Sequence, residues 1–287
     1  MTGPAALRAE AEALARSLPR LSARTHASEA AHLGSAGRRK PGTGEDFWQY
    51  RRYAHEDAAQ RIDWRRSARG DNLYVRETEL ETARTFLFWS DPHPGFTWRG
   101  GGGRPTKSDR AQTVLAAMAV LLSREGERVG VLGADRPPGF GKRALDRLCE
   151  DLVGERAAFP ERPKRGATAV LASDFYDPPS VWKTRLSGLA ETCRDGVLFA
   201  VADPVEIDFP FAGRVKFSRP GDVDPRVLGR AETVKEAYDQ RFAERRAALR
   251  DLAGGLGWRV VEHVTGDTAL EGAGALAAAI DQLGDGA

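Results

Sequence analysis

The chain has 287 residues, enough for one large domain or two small ones, and a core of ordinary size. Its 43 Lys+Arg against 41 Asp+Glu leave a formal charge of +2, so no global field draws it to nucleic acid or an anionic membrane. No apolar run approaches the ~20 residues a membrane helix needs. Two cysteines, Cys149 and Cys193, exclude a disulfide framework and a zinc finger and suit a reducing cytosol.

In chain order, residues 4–18 predict a helix, with Pro4 at its start and Leu7, Leu14 and Leu18 on one face. The N-terminus is charged throughout and has no apolar h-region, so no signal peptide is expected. Ser22–Gly37 reads as a second short helix running into the loop GSAGRRKPGTGE. From Asp46 to Glu81 aromatics and arginines interleave without a helical period, and Leu73–Thr78 reads as extended.

The second half alternates. Strands are predicted at 84–90, 128–132, 167–173 and 196–202, with a last one in GWRVVEHVT. Between them fall helices at 108–126 (Ser108 or Asp109 as N-cap), 142–156 and 178–192. A long helix carries Val234, Tyr238, Phe242, Leu249 and Leu252, and residues 268–283 close the chain. Residues 205–217 read as a polar extended hairpin with Phe209, Phe211 and Phe217 as its apolar members. Strands alternating with helices predict an α/β fold with a doubly wound, mostly parallel sheet. The expected organisation is a helical extension (1–36), a segment of distinct composition packing on the sheet domain (37–83), and the α/β domain (84–287).

In such sheets chemistry collects at the carboxyl ends of strands. Three predicted strands end in an acid: Asp91, Asp174 and Asp203. These are hard oxygen ligands for Mg²⁺, although Asp more commonly starts a turn or caps a helix. GGGRPTKS (101–108) approaches a P-loop, but Thr106 replaces the glycine before Lys107, and a surface loop is the better reading. HEDAA (55–59) lacks the second histidine of a zinc helix, and LGSAG (33–37) lacks the first glycine of a nucleophile elbow. Cys149 and Cys193 read as packing residues; His26, His32 and His263 have no partner by spacing. Residues 38–76 hold ten Lys+Arg against six Asp+Glu, a pattern open to single-strand stacking or to ion pairs and protein docking, the latter favoured by the interleaved acids.

The same segment resembles the signature of the bacterial domain-of-unknown-function family 58. The matching residues are Gly42, Gly44, Asp46 and Phe47, then Arg52, Tyr53 and Asp57, then Arg61, Ile62, Asp63 and Trp64. Ser67, Ala68, Arg69, Val75, Arg76 and Glu77 complete it, and SDFYDP (173–178) and ADPVEIDFPFAGRVKF (202–217) extend the likeness. The resemblance implies a von Willebrand factor A-like fold. It also implies an adaptor working with a MoxR-type AAA+ ATPase in chaperone-like maturation of other protein complexes, whose client the sequence does not name. Many members carry D-x-S-x-S after the first strand to hold Mg²⁺; here His93 and Gly95 replace both serines after Asp91, and Asp174 matches the distal acid.

Two carboxylates without hydroxyls make a poor Mg²⁺ site, and an imidazole favours a softer ion. The site is therefore expected to be degenerate, with Asp91, His93 and Asp174 as a partner-binding rim. Arg52, Tyr53, Asp57, Arg61, Asp63, Trp64, Ser67, Arg69, Arg76 and Glu77 are expected to brace the fold or form a second docking face. No enzymatic activity, cofactor, nucleic acid or direct membrane insertion is expected, and the location is cytoplasmic, or peripheral at the inner membrane face through a partner. The alternatives are a metal-assisted hydrolase using the strand-end acids and single-stranded nucleic-acid binding.

Overall fold

The computed structural model describes residues 3–21, 41–54, 62–68, 72–79, 83–154, 159, 166–218 and 225–283. The chain divides into two units, residues 1–27 with 84–287, and residues 28–83. The larger unit holds, in order, α1 (Pro4–Arg16), β3 (Thr85–Ser90), α3 (Lys107–Arg124), β4 (Arg128–Val131), α4 (Gly141–Val153), β5 (Thr168–Ser173) and α5 (Pro179–Ala190). Then come β6 (Asp195–Ala202), α6 (Pro204–Asp208), β7 (Val215–Phe217), β8 (Arg226–Leu228), α7 (Lys235–Gly255), β9 (Arg259–Val264) and α8 (Ala269–Asp281). The smaller unit contributes β1 (Pro41–Arg52), α2 (Trp64–Ser67) and β2 (Tyr74–Glu79).

Five parallel strands form the main sheet in the order β4-β3-β5-β6-β9. The alternation in TFLFWS explains its two covered faces. Phe86 and Phe88 join a core built with α1, α3, α4 and α8, whereas Leu87 and Trp89 join one built with α5 and α7. The expected doubly wound α/β architecture is therefore present. Gly196 shows how closely the Trp258 ring, at the entry to β9, lies against β6, since a Cβ there would lie 2.2 Å from that ring. On the edge of β4, Val129 forms an isolated antiparallel bridge with Gly139.

Three expectations change. The N-terminal helix is part of the sheet unit, because Leu7, Ala11 and Ala15 are buried in the same core as Phe86 and Leu115. The N-cap of α3 is Thr106, not Ser108 or Asp109: its hydroxyl accepts from the Asp109 amide at 3.0 Å and donates to the Asp109 carboxylate at 2.7 Å. Residues 205–217 are not one extended hairpin. Asp203 and Glu206 form a capping box with Pro204 at the first helical position, which starts α6, and only Val215–Phe217 is strand, paired with β8. The short helix expected over 22–37 lies outside the described residues. Among the described residues no helix is long and apolar enough to cross a membrane.

His263, without a partner by spacing, has one in space. It is 5% exposed, stacks on Phe199 at 5.5 Å, and sets Nε2 3.1 Å from an Arg110 guanidinium nitrogen. Burial, reinforced by Arg110, holds it down to about 4 from its ordinary 6.5. The unfolded chain therefore binds the extra proton first. The contribution of His263 to stability is full above pH 6.5 and is expected to be lost as pH drops from there through 4, by roughly 3 kcal/mol in all. His263→Gln should remove that limb from urea-unfolding curves taken across the range; an unchanged acid limb would contradict the burial of a neutral ring.

Candidate functional site

The chain leaves β3 for β4 on one side and later returns to β5 on the other, so the order of winding reverses between β3 and β5. Asp91 and Asp174 follow those two strands directly, at the position where α/β sheets open a crevice. The ladder continues to the lip: the Asp91 amide donates to the Ala172 carbonyl at 2.8 Å. Ser173 then donates its hydroxyl to one Asp91 oxygen at 2.6 Å, and the His93 amide donates to the other at 2.8 Å. Burial pushes the Asp91 carboxyl above its usual range, and Asp174 nearby adds to this.

The centre of the site is Lys107, which the sequence offered only as a failed P-loop lysine. It opens α3, is 1% exposed, and sets its ammonium 2.9 Å from Asp174 Oδ2 and 2.6 Å from Glu206 Oε1. The rings of Tyr176 and Trp98 flank it, with centroids at 5.0 and 5.9 Å. Glu206 comes from α6, and its second oxygen accepts from the Asp203 amide at 2.8 Å as the return half of the capping box. Burial raises Glu206, with Lys107 opposing.

Backbone strain lies beside these residues. Phe175, between Asp174 and Tyr176, has φ of 54°, and Phe209, ending α6, has φ of 43°. Both are bulky residues in the left-handed region, which costs on the order of 1–3 kcal/mol each. The twist at Phe175 buries its ring on Trp182, 4.6 Å between centroids, while Asp174 and Tyr176 both line the cleft. Helix α7 straps the loops: Tyr238 donates to the Glu206 carbonyl at 2.7 Å and Arg245 to the Tyr176 carbonyl at 2.8 Å.

Above Lys107 lies a cleft of about 570 Å³. Asp91, His93, Asp174 and Glu206 line its polar side, and Phe209, Phe211, Phe217 and Tyr238 supply an aromatic wall packed ring on ring at 4.7–6.0 Å. The three residues read as a rim thus meet at one cleft. His93 is exposed and caps the turn at 94–97 by accepting from the Gly95 amide at 3.0 Å through Nδ1.

Asp203, the third strand-end acid, does different work. It is fully buried and accepts from the Gly100 amide at 3.1 Å, the Val205 amide at 2.9 Å, Arg104 at 3.3 Å and the Thr265 hydroxyl at 3.3 Å. Burial alone would raise it, but these donors outweigh that and hold the carboxyl below its usual range. The glycine-rich loop, expected as a plain surface loop, is therefore pinned at Gly100 and Arg104, while Gly101–Gly103 turn through positive φ at the surface. Cys149 and Cys193 are buried, and burial pushes both thiols up to about 11, the behaviour of packing residues.

In the smaller unit, β1 and β2 pair antiparallel. Tyr53 is half-buried and its amide donates to the Leu73 carbonyl at 2.8 Å; Arg52 is exposed. Asp63 caps α2 by accepting from the Arg66 amide at 2.9 Å. Ser67 is buried, donating to the Asp63 carbonyl at 2.8 Å and accepting from the Tyr74 amide at 2.9 Å. Trp64 is 64% exposed. Arg76 and Glu77 lie in β2 opposite Tyr50 and Gln49. Asp57, Arg61 and Arg69 lie outside the described residues.

A family model described as protein of unknown function DUF58 matches residues 49–248, a span that holds the whole cleft. This chain belongs to the DUF58 family. No curated protein and no solved structure matches it. The DUF58 span begins inside the aromatic-basic signature, after the Gly42–Phe47 residues of the resemblance, and ends within α7.

The resemblance also carries Mg²⁺, and the residues present do not fit it. Neither His93 nor Gly95 offers a hydroxyl, and the ammonium of Lys107 already takes an oxygen each from Asp174 and Glu206. Among the described residues no group of three or more His, Cys, Asp and Glu is arranged to hold a metal ion. Mg²⁺ binds through free carboxylate oxygens with waters completing its octahedron, and here both oxygens of Asp174 and both of Glu206 are already engaged, by Lys107, the Tyr176 amide and the Asp203 amide.

Proposed function

We propose that this DUF58 protein is a non-enzymatic docking module of von Willebrand factor A-like type, which binds a partner at the strand-end cleft without a divalent ion. The observation that carries this reading is the buried Lys107 ammonium between Asp174 and Glu206 at the switch point. A cation tethered to the fold balances those acids, so a partner can be met by a preformed surface. The aromatic wall beside it supplies the apolar area that interfaces anchor on. A metal-assisted hydrolase would need Asp174 free to ligate, and here the lysine competes for it.

The partner that the resemblance implies is a MoxR-type AAA+ ATPase, and the process is chaperone-like maturation of other protein complexes. The test is affinity capture of the tagged full-length chain from its host lysate, with and without a slowly hydrolysed ATP analogue. Wild type should retain a MoxR-type ATPase, and Phe211→Ser, shown by thermal melting to fold, should lose it. Absence of that ATPase in every nucleotide state, or equal capture by the variant, would overturn the reading.

A further inference from the structure

Resting on that docking reading, we infer that the group the cleft receives is a basic side chain of the partner, an arginine above all, presented beside an apolar residue. The polar floor brings three carboxylates together, Asp91, Asp174 and Glu206, against the single ammonium of Lys107. That ammonium spends its short contacts on Asp174 and Glu206. Asp91, by contrast, is met by neutral donors, the Ser173 hydroxyl and the His93 amide. A divalent ion would leave the site hungry for one more anion. A monovalent ammonium shared by Asp174 and Glu206 leaves the floor with an excess of negative charge, so the polarity of recognition reverses.

The floor already displays this preference on its own chain. The Lys107 ammonium rests between carboxylates and against the faces of Trp98 and Tyr176, the environment in which proteins hold cations. A guanidinium entering above it can fork onto Asp91 and lay its plane on an aromatic face. Its apolar neighbour then meets the Phe209–Phe211–Phe217 wall. Two more cations, Arg245 and Lys216, line the rim, but both are exposed and screened by water from the floor; Arg245 donates to the Tyr176 carbonyl, and Asp177 is matched by Arg185 at 2.7 Å.

Three probes decide the matter on the full-length protein: N-acetyl-Phe-Arg-amide, its citrulline isostere, and N-acetyl-Phe-Glu-amide. Binding is read from the NMR shifts of the Gly95 amide and the Trp98 indole. The arginine probe should bind about tenfold or more tightly than either of the others, with or without Mg²⁺. Asp91→Asn, checked for folding by thermal melting, should bring the arginine and citrulline probes together. Equal or better binding of the glutamate probe, a requirement for Mg²⁺, an arginine preference untouched by Asp91→Asn, or no shift from any probe would each overturn the proposal. If the probes fail while the ATPase is still captured, this inference falls alone; if they succeed without capture, the cleft's preference stands and its assigned partner falls.

Discussion

Lys107→Met should lower the unfolding free energy by about 3–5 kcal/mol, the usual cost of stranding buried carboxylates. Two other effects are too small to explain such a loss. A lysine in the first turn of a helix opposes the macrodipole, so removing it contributes about 0.3–1 kcal/mol in the stabilising direction. Methionine also nearly conserves the volume of the stem. The loss should therefore come from Asp174 and Glu206, whose shared counter-ion is gone. The triple variant Lys107→Met, Asp174→Asn, Glu206→Gln should recover most of it, because replacing a whole buried ionic group is often nearly neutral whereas breaking one is not. Urea unfolding of wild type, single and triple variants checks both statements. A single variant within about 1 kcal/mol of wild type would show that the ammonium is not the counter-ion of these acids.

Asp203→Ala should be the second large effect. Four donors from three segments converge on this carboxylate, and hydrogen bonds to a charged acceptor contribute about 1.5–3 kcal/mol each before non-additivity. A loss of roughly 3–5 kcal/mol at neutral pH is expected, with the loop at 100–104 and the end of β9 loosening together. The pH dependence has a fixed sign. The folded carboxyl titrates below its ordinary 3.8, so its contribution is present above that value and is lost as pH falls through the folded one. The stability difference between wild type and variant should hold from pH 7 down to about 4 and narrow below it. Equilibrium unfolding at stepped pH measures this, and a difference that widens in acid would contradict it.

The parallel sheet was legible because β3, β5 and β6 are short apolar runs that stop at an acid, and β3 writes both faces into alternate letters of FLFW. Asp91 and Asp174 were legible for the same reason, as acids standing where those runs stop. Lys107 was not. Its partners lie 67 and 99 residues away, and local sequence shows only a basic residue after a glycine-rich stretch. One signal was available: a lysine in the first turn of a strong helix is unfavourable there unless something else requires it. Helix α6 was missed although its signal is local, since Asp203-Pro204-Val205-Glu206 is a capping sequence with proline at the first helical position. The three phenylalanines at 209, 211 and 217 drew it into an extended reading; they instead build the wall of the cleft with Tyr238. Asp203 read like Asp91 because both end strands, and only the fold distinguishes a carboxylate enclosed by four donors from one that lines a cleft.

The most direct measurement is calorimetric titration of Mg²⁺ and of Mn²⁺ into the purified full-length chain. If Lys107 is the cation of this site, neither ion should give a saturable one-site isotherm at millimolar concentrations. An isotherm of one ion per chain, abolished by Asp91→Asn and by Asp174→Asn, would contradict the account.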